Sequence, residues 1–127
     1  MSENIKKNDG QRIFDLEERL IEFTLLIYRI VELLPDNRIG NYIAGQLIKS
    51  GTSPTFNYGE AQSAESVSDF IHKMSICLKE LRETLISLRI IKRKPLIQNE
   101  IIDVVLVECN ELISIFVSSI FTARRNK

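Results

Sequence analysis

Between Ser66 and Ile91 the chain alternates apolar and polar positions with helical regularity. Phe70, Met74, Cys77, Leu81, Thr84, Leu88 and Ile91 fall at steps of four and three, which places them on one stripe of an α-helix. Val67, Ile71, Leu78 and Leu85 form a second stripe beside it, and Lys73, Lys79, Glu80, Arg82, Glu83 and Arg89 take most of the remaining surface. Ser66 followed by Asp69 is a variant of the capping box, so the spacing predicts a helix start there.

The same period recurs on both sides of this stretch. Ile13, Leu16, Leu20, Phe23, Ile27, Ile30 and Leu34 repeat in steps of three and four, and Phe14, Ile21, Leu25, Tyr28 and Val31 widen that face. This first helix therefore carries more apolar surface than a single neighbour can cover. Pro35 stops it, because proline disfavours the helical conformation in the residue before it. Asp36 can cap a second helix whose face carries Ile39, Ile43 and Leu47, with Tyr42 at the side. The pattern then blurs over residues 49–60, where Pro54 would cost about 3 kcal/mol in a regular helix. Two courses stay open. The second helix ends near Ser50 and restarts with Ser53 as cap and Pro54 in the first turn, or it runs on to about Gln62 with a kink. Small residues from Ser50 to Ser53 would let another backbone approach closely. Ala61 to Glu65 reads as the turn into the third helix, and residues 92–95 as a basic connector broken at Pro95. A fourth helix is predicted from about Leu96 to Thr122, with Ile102, Val105, Cys109, Leu112 and Phe116 inward.

Four such helices joined by short turns fold most simply as an all-α, up-down-up-down four-helix bundle over residues 12–122. Each rod would be roughly 30 to 40 Å long at 1.5 Å per residue. Residues 1–11 and 123–127 read as polar tails. Only five glycines and three prolines occur, too few turn residues for a β-rich domain of this size.

Charge narrows the functional classes. Lys and Arg total 17 and Asp and Glu total 17, so no global field favours nucleic acid or an anionic membrane. Cys77 and Cys109 lie within apolar stripes and read as buried small hydrophobes, which suits a reducing cytoplasm. The N-terminus has no apolar signal region. The most apolar segment, residues 101–121, contains Asp103, Glu108 and Glu111 and reads as a poor membrane span and a good buried helix. A cytoplasmic protein without a membrane partner is expected.

From Ser50 to Leu88 the chain resembles the four-helix bundle family of proteins encoded in intervening sequences of bacterial 23S rRNA genes. Ser50-Gly-Thr-Ser53 and Asn57-Tyr-Gly-Glu-Ala61 are similar to the family's second-helix signature. Ala64-Glu-Ser66, Asp69-Phe-Ile-His-Lys73 and residues 78–84 are similar to its third-helix signature. The resemblance extends more weakly over roughly residues 12 to 122. It implies a left-handed bundle that assembles as a homopentamer. It also implies kinship with accessory proteins of diversity-generating retroelements, which pair with a reverse transcriptase and bind nucleic acid through a basic surface. The balanced charge of this chain differs from that branch.

Candidate chemistry is sparse. Asp69 and His72 share a helix face, but a di-iron bundle needs two carboxylate-x-x-histidine elements and this chain has one histidine. Neither cysteine has a base beside it, and there is no glycine-rich phosphate loop. No catalytic set, cofactor or metal site is expected. Glu108 and Glu111 read as an ordinary pair on a solvated or interfacial face. The polar group Asn57, Glu60, Glu65, Ser66 and Asp69 reads either as capping and turn bonding or as a subunit contact. Lys79, Glu80, Arg82 and Glu83 read either as a solvated face or as a charge network between protomers. Lys6, Lys7, Arg12, Arg124 and Arg125 gather at one end of an up-and-down bundle, and Lys92, Arg93 and Lys94 at the other. No aromatic residue interleaves with them, which argues against a single-strand stacking platform. The expectation is a non-enzymatic, homo-oligomeric assembly protein, a pentameric ring on the resemblance, with an unknown protein partner. The alternative is an accessory protein that binds nucleic acid through basic ends of the ring.

Overall fold

The computed structural model describes residues 15–126, and among these described residues there are four α-helices. They are α1 (Leu16–Leu33), α2 (Arg38–Gln62), α3 (Val67–Arg93) and α4 (Ile101–Arg125). Each helix packs on its neighbours in the chain, and α1 also packs on α4, so the four close into an all-α up-and-down bundle. Helices α1 and α3 occupy opposite corners, as do α2 and α4. Lys6, Lys7, Arg12, Ile13 and Phe14 lie outside the described residues.

The predicted stripes form the core. Leu20, Phe23, Ile27 and Ile30 of α1 meet Leu47 of α2, Met74, Cys77, Leu81 and Leu88 of α3, and Val105, Cys109, Leu112 and Phe116 of α4. Each large side chain so buried contributes roughly 1.5–3 kcal/mol through the hydrophobic effect. Tyr58 and Phe116 meet edge to face, with ring centroids 6.1 Å apart, and tie α2 to α4 across the bundle.

The helix ends differ from the sequence reading in five places, one of them being that α3 runs on through Lys92 and Arg93, which the sequence reads as connector. Leu34 is extended before Pro35, as steric crowding from the proline ring requires. The cap of α2 is Asn37 rather than Asp36: Asn37 Oδ1 accepts from the Gly40 amide at 2.8 Å, and Asp36 instead accepts from the Asn41 side chain at 3.1 Å. Gly40 fits this start because a Cβ there would collide with the Pro35 carbonyl oxygen. Helix α2 is continuous through Pro54, which settles the two open courses, and it extends to Gln62, so the turn into α3 begins at Ser63. Donors reach the carbonyls around the proline: Thr24 Oγ1 to Gly51 O at 3.0 Å, Asn57 Nδ2 to Ser53 O at 3.0 Å, and Cys77 Sγ to Pro54 O at 3.4 Å. These contacts brace α2 on both sides of the proline, whose missing N–H leaves the Ser50 carbonyl without its usual helical donor.

The last two differences flank α4. It starts at Ile101, not near Leu96, because Asn99 ends the connector: its side chain accepts from the Ile101 amide at 2.9 Å and its carbonyl from that of Ile102 at 3.2 Å. Leu96 and Ile97 still pack on the core from outside the helix. At the other end, Ala123 to Arg125 belong to α4 rather than to a tail. Arginines are good helix formers, and their charge suits a helix C-terminus.

Candidate interaction surface

The polar group at the α2–α3 turn does local work. Ser66 Oγ accepts from the Asp69 amide at 3.0 Å, and Asp69 Oδ2 accepts from the Glu65 amide at 3.3 Å, an exchange that closes the start of α3. Asn57 turns back onto Ser53, reaching its Oγ at 2.9 Å as well as its carbonyl. Glu60 meets Lys73 at 2.6 Å, and this hydrogen bond is the leading cause that raises the lysine above its ordinary range. These five residues thus hold two helices and one turn, and they do not converge on one point.

The quartet on α3 divides. Lys79, Arg82 and Glu83 are exposed, but Glu80 is buried with only 7% of its surface accessible. Its Oε2 lies 3.8 Å from Lys79 Nζ, and its Oε1 has no hydrogen-bonding partner among the described residues. A buried carboxylate oxygen without a donor is costly. Around it runs a polar seam between α2 and α3, where Thr84 Oγ1 donates to Ser50 Oγ at 2.9 Å and Ser87 is buried.

The basic residues fall at both ends of the bundle. Lys92 is paired with Asp103 at 2.6 Å, whereas Arg93 and Lys94 are exposed. Arg89, one turn earlier, is exposed too and belongs with them. Arg124 and Arg125 are exposed at the far end of α4. A shallow hollow lined by Ala61, Glu65, Val67, Phe70 and Ala123 shows that this end adjoins the α2–α3 turn. The guanidinium of Arg125 stands 5.7 Å from the centre of the Phe121 ring, so an aromatic residue does accompany this basic end.

Helical periodicity alone did not single out several residues. Arg19 binds Glu108 through Nε and Nη2 at 2.7 and 2.9 Å and Glu111 through Nη2 at 2.7 Å, joining α1 to α4. The hydrogen bond to Glu108 is the leading cause that raises the guanidinium above its already high ordinary value. The partners are 89 residues apart in the chain, so no local signal couples them. The outer faces carry large exposed apolar side chains, including Tyr42 (66%) and Phe56 (69%) on α2 and Val104, Val107 and Phe121 (60%) on α4. On α1 the wide apolar face leaves Leu25 and Leu33 exposed. Among the described residues no three of His, Cys, Asp and Glu are grouped to hold a metal ion, and His72 is exposed. Burial pushes both thiols, Cys77 and Cys109, up to about 12, so neither is a ready nucleophile at neutral pH.

Helix α4 is long and apolar enough to cross a membrane by length and composition, contrary to the reading from its three acids. In the fold its inner stripe forms one wall of the core and Glu108 holds Arg19.

Fold and packing together define an all-α helical-bundle protein. Within that class, the 23S rRNA-intervening sequence protein family matches residues 14–118, and the chain belongs to that family. A crystal structure of a protein of unknown function from the S23 ribosomal protein family of Bacteroides thetaiotaomicron is similar, with a TM-score of 0.76 and 30% identity over 82% of this chain and 96% of that one. No curated protein matches the chain.

Proposed function

We propose that this protein is a non-enzymatic assembly and interaction protein that works as a closed homo-oligomer in the cytoplasm. The observation that carries the reading is the exposed apolar surface. Leu25, Tyr42, Phe56, Val104, Val107 and Phe121 are each more than half exposed in the single subunit, on outer faces of three helices. Apolar side chains in line along a helix, as Ile39 with Tyr42 on α2 and Val104 with Val107 on α4, suit a surface that a partner covers. Gly45 and Gly59 support the same reading. Both lie within α2 with nothing near the position of a Cβ, so neither is required by packing within the subunit. Each weakens the helix by about 1 kcal/mol relative to alanine. The ring is five-membered by the resemblance set out above. The two free, buried cysteines suit a reducing compartment. Sedimentation velocity of the purified chain tests the assembly: a species several subunits in size supports it, and a monomer at micromolar concentration removes it.

A second reading rests on the cationic end of α3, where Arg89, Arg93 and Lys94 form no ion pair among the described residues. In that reading the protein is an accessory to RNA, DNA or a reverse transcriptase, and repetition around a ring multiplies the phosphate contacts. Filter retention of single- and double-stranded RNA and DNA across a salt series tests it. Retention that falls steeply with salt supports it, and no retention at low salt removes it.

A further inference from the structure

We infer that copies of this chain join head to tail, the outer ridge of α1 on one copy seating against the outer ridge of α3 on the next. This rests on the assembly reading above and adds to it the two faces that meet.

The ridge of α1 is acidic. Glu18, Glu22, Leu25, Arg29 and Glu32 are all exposed and follow one another at steps of four and three, so they form one line along the helix. Leu33 lies beside the line and is exposed as well. The ridge of α3 is basic. Lys79, Arg82, Arg89 and Arg93 are exposed on it, with Glu83 as its single acid. Ile86 and Ile90 stand among these charges and are 57% and 43% exposed, close to the 53% and 43% of Leu25 and Leu33. Each ridge therefore offers two large apolar side chains within a charged border, and the borders have opposite sign. Shallow hollows on either side of Arg89 and Arg93 give the α3 ridge relief into which a leucine can fit.

The fold prevents these ridges from satisfying each other within one subunit. Helices α1 and α3 sit at opposite corners of the bundle, so their outer ridges face away from one another. Among the described residues the only ion pair formed by these nine charged side chains is the 3.8 Å contact of Lys79 with Glu80. The other two corners carry no such complement, since Tyr42 and Phe56 on α2 and Val104 and Val107 on α4 dominate there.

Position along the bundle axis also agrees. Thr55 bonds Leu20 O and Thr24 Oγ1 on α1, while the carbonyl of the adjacent Pro54 accepts from Cys77 on α3. Leu20 to Thr24 and Cys77 are thus nearly level. Helices α1 and α3 run in the same direction with the same rise per residue. Counting upward from there brings Glu22 within about one helical turn of the height of Lys79, Glu32 of that of Arg89 and Leu33 of that of Ile90. Rotation about an axis parallel to the bundle preserves height, so these pairs face each other between neighbours in a ring. Two different patches in contact make a heterologous interface, which closes into a ring or continues as a filament. Complementary charge sets register and encounter rate, and the apolar centre supplies most of the affinity.

The test is sedimentation velocity on the full chain in four samples: the unchanged protein, Glu22→Lys with Glu32→Lys, Arg82→Glu with Arg89→Glu, and a chain carrying all four changes, in which every contact around a ring of any number is complementary again. Circular dichroism accompanies each sample. The expected result is an oligomer for the unchanged chain, a monomer for each two-residue reversal at micromolar concentration, and recovery of the oligomer in the chain carrying all four changes. Raised salt weakens the unchanged oligomer. If a charge reversal unfolds the chain, the neutral pair Glu22→Gln with Glu32→Gln replaces it, with association expected to weaken at least tenfold. An oligomer whose mass survives both reversals overturns the interface but leaves assembly standing, and so does a folded chain with all four changes that stays monomeric. Lost retention of nucleic acid with mass intact assigns the α3 ridge to the second reading above and likewise overturns the interface. A monomeric unchanged chain removes assembly itself and the interface with it.

Discussion

A Cβ on Gly51 would stand 2.7 Å from Ile27 Cγ2, at a point where α2 crosses α1. Gly51→Ala therefore forces a core side chain or a backbone to move, and the expected loss is about 1–3 kcal/mol in urea unfolding. Gly45 is the control, since its Cβ position is empty. Gly45→Ala is expected to leave the fold intact and to raise subunit stability by up to about 1 kcal/mol. The cysteines give a pH dependence with a definite sign. A thiol titrates near 9.0 when exposed, and both buried thiols are held near 12. Between those values the unfolded chain releases thiol protons that the folded chain keeps. Stability is thus independent of these groups below about pH 9 and falls as pH rises from there toward about 12. Urea titrations between pH 8 and 11, compared with a Cys77→Ala and Cys109→Ala double variant, measure this, and the variant should lose part of the fall. At this scale the chain was readable where the physics is local. The Ser66–Asp69 cap and the burial of both cysteines follow from spacing alone. The burial of Glu80 does not, because it depends on how closely α3 leans on α2, and nothing in a run of charged residues marks which one turns inward.

Element boundaries follow the competition between local caps and tertiary support. Asp36 and Asn37 are both good caps by type, and the structure chooses Asn37 because its backbone is extended and its Oδ1 reaches the Gly40 amide. Asn37→Ala is expected to cost about 1 kcal/mol and Asp36→Ala much less, measured by thermal unfolding of the two variants side by side. Pro54 shows the limit of propensity. Its local cost favours a break, yet donors from Thr24 and Cys77 reach the carbonyls around it and α2 stays whole. Those donors come from α1 and α3, so reading outward from Pro54 gives no hint of them. The start of α4 misled for the opposite reason. Leu96 and Ile97 fit the apolar period, but they pack on the core from a connector. The four stripes themselves were legible because a 3.6-residue period sustained over many turns has no other simple solution.

At the scale of the molecule, one fact organises the rest. Four helices bury their inner stripes, and large apolar side chains still remain on the outside, from Leu25 and Tyr42 to Phe121. The width of the α1 face predicted such a surplus from the sequence. The aromatic residues of α2 and the valines of α4 were harder to foresee, because their exposure follows from which face each helix turns to its neighbours. Opposite charge on the α1 and α3 corners then gives two of these faces a direction in which to meet. The family and the related bundle from Bacteroides thetaiotaomicron support the fold and leave the role of these faces to experiment. Sedimentation equilibrium of the unmodified chain at micromolar concentration and moderate salt tests the account most directly. A mass that is a whole multiple of the 14.6 kDa subunit, and greater than one, is the predicted result. A single ideal species at the subunit mass would contradict it.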